Sequence, residues 1–345
     1  MDKKILKLID NRYSEIISTL FGKVDGGYLS DNFIVGNARE KYFLKEYREK
    51  YTEQDIQNIH KTKSLFSANR IPVIMPRLDK QGRSYFKFEG HFYSLFPFID
   101  ARLIKPEKAS DKAVDSMAKM QAKMHLTGKK YSIPKVHENE VPVWNKKKAK
   151  ARGKRILEIL NKKSKHNEFD KLALKFVKLK MELIENNKLT PLKIGLGSDH
   201  LIHGDYHSLN LFFDRSDNVQ YIFDLEKTVY APRAYELVRA MDYICLNDYN
   251  FPKARAYLSA YRKVYPISDS EYRRGFLFYH LNGVHAFWIE EFHYLDNNKR
   301  TDVFYVGDSR KTAYYSKNFE DVVNQILGKK SVRTTSKKPA KNCDK

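Results

Sequence analysis

The alternation of apolar and polar positions divides the 345-residue chain into a sheet-forming part and a helix-forming part. Between Met1 and Phe21, Ile5, Leu8, Ile9, Ile16, Ile17 and Leu20 recur at helical spacing, and Gly22 stands where such a helix would stop. Strand patterns follow. Asn32 to Val35 and Lys41 to Tyr47 read as paired strands behind Gly26-Gly27, and a helix over about Thr52 to Ala68 leads to a further strand beginning at Ile71 to Pro76. The run from Gln81 to Phe96 reads as two strands joined around Glu89-Gly90, after which Pro97 interrupts with Phe96 and Phe98 on either side. Beyond Pro97 the period lengthens. Val114, Met117, Met120 and Met124 mark a helix capped by Ser110, and Ile156, Ile159, Leu160, Leu172, Phe176 and Leu179 mark two amphipathic helices. Further helices are expected from Ala231, near Lys253 to Tyr265 and over Ser270 to Leu295. Strands first and helices second predict an α+β protein. The expected organisation is a small antiparallel-sheet lobe over residues 1–96, a mainly helical lobe over 97–327, and an aperiodic basic tail over 328–345, read as disordered.

One strand-rich stretch interrupts the helical part. Apolar residues flank two polar clusters, His203-Gly204-Asp205 with Asn210, and Asp224-Leu225-Glu226, so both clusters fall at the ends of short strands. Carboxylates and an amide held in this way suit metal–phosphate chemistry: phosphoryl transfer needs a carboxylate to orient the attacking hydroxyl and oxygen ligands for magnesium. Asp205 supplies the first; Asn210 and Asp224 supply the second. The spacing of His203, Asp205 and Asn210 matches the protein-kinase catalytic loop, with Gly204 in the place of its arginine.

The run His-Gly-Asp, four residues, Asn resembles the aminoglycoside phosphotransferase and choline kinase superfamily, and the strand-glycine-strand-hinge layout resembles its spore-coat kinase-like branch. The resemblance covers nearly the whole chain in layout, but only residues 200 to 245 in specific sequence. It implies a two-lobed protein-kinase-like fold and transfer of the terminal phosphoryl group of ATP, with Mg2+, to a hydroxyl of a small molecule. Residue by residue, it implies Asp205 as the catalytic carboxylate, His203 as the residue that shapes its loop, and Asn210, Asp224 and Glu226 as metal ligands. Lys45 matches the lysine on the nucleotide phosphates, Gly26 and Gly27 the loop that covers them, and Phe96 and Phe98 the hinge beside the adenine. Glu53 or Asp55 is the expected acidic partner of Lys45, unless that pair is absent; His60 stands near where the family has its glutamate. Glu236 is expected to support the catalytic loop, and His125 to be structural.

Charge adds a second reading. The net charge is +22, and residues 144–193 and 328–345 hold +17 of it between them. The basic excess therefore belongs to the two amphipathic helices and the tail, which serve solubility or, less favoured, bind nucleic acid or another polyanion. No stretch is long and apolar enough for a membrane span and no signal-peptide pattern opens the chain, so a cytoplasmic protein is expected. Cys245 and Cys343 are read as free thiols. The aromatic and acidic residues from His285 to Asp296 suit an amine-binding pocket or ordinary core packing. Two rivals to the kinase reading stay open, a catalytically silent kinase-like binding or coat protein and a nucleic-acid-binding module; oligomeric state is not legible.

Overall fold

Residues 3–13, 19–24, 32–131 and 143–330 are described by a computed structural model. Gly26, Gly27, Cys343 and the tail from 331 lie outside these residues. Helix α1 (Lys3–Arg12) is followed by strands β1 (Thr19–Lys23), β2 (Asn32–Gly36) and β3 (Lys41–Glu46), helix α2 (Glu53–Ala68), and strands β4 (Phe86–Phe88) and β5 (His91–Pro97). The strands form an antiparallel sheet in the order β1-β2-β3-β5-β4. Its period-two pattern buries Phe33, Val35, Tyr42, Leu44 and Leu95 on one face, against Ile5, Ile9 and Tyr13. Thr52 caps α2 reciprocally with Asp55, a capping box.

The remainder is mainly helical: α3 (Asp111–Lys130), α4 (Lys146–Lys162), α5 (Glu168–Asn186), a single turn α6 (Pro191–Ile194), α7 (Arg233–Cys245), α8 (Phe251–Val264), α9 (Asp269–Val284), α10 (Trp288–Tyr294) and α11 (Tyr305–Leu327). Between α6 and α7 lie four short strands, β6 (His200–Ile202), β7 (Leu211–Phe213), β8 (Val219–Ile222) and β9 (Val229–Ala231), paired β6 with β9 and β7 with β8. The largest core joins α3, α7, α8, α9 and α11. The basic helices α4 and α5 share a separate core with Val284, Phe287, Ile289 and Tyr305, which leaves their lysines on the outside except Lys180, buried against Glu290 and the Ala286 carbonyl. No described helix is long and apolar enough to cross a membrane.

The structure departs from the sequence pattern in four places. The opening helix stops at Arg12, and Thr19–Lys23 is an edge strand paired with β2, where an extended segment beside the sheet gains ladder hydrogen bonds. Residues 71–76 make one parallel bridge, Val73 to Ile222, rather than a strand, and Phe66, Ile71 and Val73 join the core of the helical part. The helix expected over 270–295 breaks between Val284 and Trp288. Helix α11 has no counterpart in the expected elements: its inner face is Tyr305, Ser309, Thr312, Tyr315 and Asp321 as much as Val322, Val323 and Ile326, so the apolar period is weak.

Candidate active site

The loop after β6 is fixed before any side chain reaches a substrate. Glu236, on the first turn of α7, accepts the backbone N–H groups of His203 (3.3 Å) and Gly204 (2.5 Å) and also bonds His125 Nε2 at 2.8 Å. His125 is fully buried and bonds Tyr261 through its other nitrogen. Burial would raise the Glu236 pKa, but the His125 bond and the loop amides outweigh it and hold the carboxyl ionised. Gly204 adopts φ +80°, and a Cβ there would overlap the carbonyl oxygen of Lys227, so this turn admits glycine alone. His203 donates from Nε2 to the Phe223 carbonyl (2.9 Å) and accepts the Asp205 N–H at Nδ1 (3.2 Å), tying the loop to the strand end before Asp224.

Asp205 is therefore presented on a rigid turn, and two cations meet it. Lys227 Nζ lies 2.8 Å from Oδ2, and Arg239 bonds Oδ1. Burial pushes the Asp205 pKa up, yet Arg239 and Lys227 outweigh it and keep the carboxyl well below the usual carboxylate range. Asn210 Nδ2 donates to the Asp205 carbonyl at 2.9 Å, which leaves its amide oxygen as the group available to a cation. His207, whose ring stacks on Tyr243 at 4.6 Å between centroids, has its pKa lowered to about 4 by burial and is neutral.

The sheet supplies the opposite wall. Lys45, on β3, reaches Asp224 Oδ1 at 3.0 Å and also pairs with Glu226. Its acidic partners thus come from the helical lobe: Glu53 instead bonds Tyr85, Asp55 closes the α2 cap, and His60 bonds Tyr47 and Ser84. Burial would lower the Lys45 pKa, but Asp224 and Glu226 raise it. Asp224 sits at φ +59° with its side chain 38% exposed, and Lys45 holds its pKa down against burial. Glu226 is buried, and burial together with the Asp224 charge raises its pKa. A second buried cation, Lys63 of α2, donates to the Ile74 carbonyl at 3.2 Å and lies over the Phe96 ring; burial pushes its pKa down to about 8.

Lys45, Asp205, His203, Asn210, Asp224 and Glu226 are thus brought together. Phe96 is a buried core residue, so its ring is covered by Lys63 rather than open to a ligand, while Phe98 is half-buried with its N–H directed to the Lys41 carbonyl at 3.3 Å. Gly26 and Gly27 lie outside the described residues. Among the described residues, no three His, Cys, Asp or Glu side chains converge as a ready-made cation cage. The donors present fit a magnesium-type ion, which is ordinarily held by one or two carboxylates together with substrate phosphates. The Lys45 ammonium, lying between Asp224 and Glu226, marks where positive charge is accommodated.

Arg239 and Lys227 carry no role in the sequence reading. The helical signal for Arg239 was available: it lies three residues after Glu236, hence on the same face of α7. Lys227 has only its adjacency to Glu226.

Comparison with known proteins follows the same layout. A family model described as a phosphotransferase enzyme family matches residues 22–270. A homoserine kinase of Rhodopseudomonas palustris is 23% identical over 248 residues, 71% of this chain and 70% of that protein. Many solved structures share the fold, and two serve as examples. One is a spectinomycin phosphotransferase in complex with ADP and spectinomycin (14% identity, TM-score 0.61, 95% of this chain and 98% of that one). The other is an amicoumacin kinase in complex with AMP-PNP, Ca2+ and its antibiotic (12% identity, TM-score 0.61, 94% and 93%).

Proposed function

The chain belongs to the phosphotransferase enzyme family, and from that premise we propose a kinase that moves the terminal phosphoryl group of ATP, with Mg2+, onto a hydroxyl of a small molecule. The observation that carries the site assignment is the convergence of Lys45 from the sheet with Asp224 and Glu226 from the helical lobe, beside Asp205. When bound, ATP supplies the phosphoryl group, its bridging oxygen–γ-phosphorus bond breaking to leave ADP, and a divalent cation neutralises charge on the phosphates. Asp224, Asn210 and Glu226 would hold that cation. Lys45 would contact the phosphates as a point charge. Asp205 orients the acceptor hydroxyl and takes its proton as the new oxygen–phosphorus bond forms. His203 and Glu236 act through the loop, fixing where Asp205 stands.

Nucleotide and divalent-cation use is supported by the ligands of the two similar kinases, ADP in one and AMP-PNP with Ca2+ in the other. The silent-protein rival drew its support from an absent partner for Lys45, and Lys45 has two. The test is a thermal-shift titration of wild type and Asp224→Ala with ATP or GTP, with and without magnesium, since a ligand of the folded state raises apparent stability by mass action. A magnesium-dependent rise confined to wild type is expected. No rise in wild type at millimolar nucleotide would sink the kinase reading.

A further inference from the structure

Asp205 is bracketed by more positive charge than it can neutralise. Lys227 and Arg239 both bond this one carboxylate. The other two acids of α7 are occupied. Glu236 holds the loop amides and His125, while Asp242 is bonded by Tyr279 (2.9 Å), Lys311 (2.7 Å) and Tyr315. Asp224 and Glu226 face Lys45. Close to Asp205 in the fold, Arg239 Nη1, His207 Nδ1 and Ser208 Oγ are buried without a hydrogen-bond partner.

A hydroxyl that bonds one oxygen of Asp205 lies within roughly 6 Å of the cation on that oxygen and roughly 8 Å of the other, given hydrogen-bond lengths near 3 Å. Whatever else the acceptor carries is attached close to them. An ammonium there meets two like charges; an anion meets two cations.

We propose that the acceptor is a hydroxyl compound carrying an anionic oxygen group, carboxylate or phosphate, and that Arg239 and Lys227 form its anion-binding subsite. This rests on the kinase reading of the same site and narrows it. Lys227 moves from Asp205 to the acceptor's anion as the hydroxyl takes over its place on the carboxylate.

A matched set of four small diols tests the charge alone: glycerol, 3-amino-1,2-propanediol, glycerate and glycerol 3-phosphate. Each is titrated at constant ionic strength into protein saturated with AMP-PNP and magnesium, and binding is read as a further rise in melting temperature. Glycerate, glycerol 3-phosphate or both should bind at least about tenfold more tightly than the neutral and cationic diols, with the favoured one identifying carboxylate or phosphate. Lys227→Gln and Arg239→Gln should remove the preference, and Lys147→Gln, on the exposed face of α4, should leave it intact. Lys227 is half-buried at the cleft, so its variant stays informative if Arg239→Gln does not fold. Equal binding of all four, tighter binding of the amine, no binding of either anion, or loss of the effect in Lys147→Gln each overturns the proposal. If AMP-PNP itself produces no rise, the kinase reading fails first, and the two failures are distinguished.

Discussion

At the scale of single residues, the site is governed by what holds each charge. Asp205 is ionised far below neutral pH because two cations outweigh its burial, so it is ready to accept a hydrogen bond at any physiological pH. Asp205→Asn keeps the size and the loop but removes the proton acceptor. It is expected to lower kcat by about 10²–10⁴-fold while leaving the nucleotide-dependent thermal shift in place; unchanged turnover in a steady-state assay would remove Asp205 from its role. The spacing of His203, Asp205 and Asn210 was legible because a tight loop between two strands is a local object, encoded within eight residues. The cations on Asp205 and the carboxylates on Lys45 were not, because those partners lie 22, 34, 179 and 181 positions away along the chain. Such pairs are set by how β3, α7 and the loops pack, which no periodicity records.

At the scale of elements, the chain follows its local pattern where that pattern has a single solution. The alternation in β2 and β3 can bury only one face, and the caps at Thr52 and Ser110 stop the helices from starting earlier. Where a segment has two uses for its apolar residues, the tertiary context decides, as at Thr19–Lys23 and at the break after Val284. The β4–β5 hairpin offers a test of local encoding. Its two turn residues, Glu89 and Gly90, have φ of 45° and 88°, the left-handed pair of a type I′ turn, for which asparagine suits the first position better than glutamate. Glu89→Asn should therefore stabilise the protein by about 0.5–1 kcal/mol in denaturant unfolding, through reduced backbone strain. A neutral or destabilising result would show that Glu89 makes a compensating interaction in the folded state.

At the scale of the whole molecule, the two parts are joined by the packing of Phe66, Ile71 and Val73 into the core of the helical part and by polar contacts. Backbone hydrogen bonds link the segment after α2 to β8, Ile222 N–H to the Pro72 carbonyl at 2.8 Å and Ile74 N–H to the Ile222 carbonyl at 3.1 Å, while Lys45 spans the cleft to Asp224 and Glu226. Buried histidines are distributed across both parts, and they set how the fold responds to acid. His60 and His200 have pKa values lowered to about 3, and His207 and His280 to about 4, in each case chiefly by burial. The unfolded chain protonates these imidazoles below about pH 6.5 whereas the folded chain does not, so the unfolded state binds more protons and stability falls as pH drops. Above pH 6.5 both states leave the imidazoles neutral and the dependence vanishes. Carboxylates such as Asp205, whose folded pKa is depressed, add their own loss only as pH falls below about 4, the ordinary carboxylate range. Between pH 6.5 and 5 each of these histidines weakens the fold, by on the order of 1–2 kcal/mol at pH 5, while Glu226, whose pKa burial raises, works in the opposite direction. Denaturant unfolding at pH 7.5, 6.5, 5.5 and 5.0 should show a flat region followed by a steep decline. Replacing His60 by Gln, which can keep a bond to Tyr47 or Ser84, should make that decline shallower. A wild-type profile that stays level down to pH 5 would mean that these imidazoles take up protons in the folded protein as readily as in the unfolded one, and so that water reaches them despite their burial.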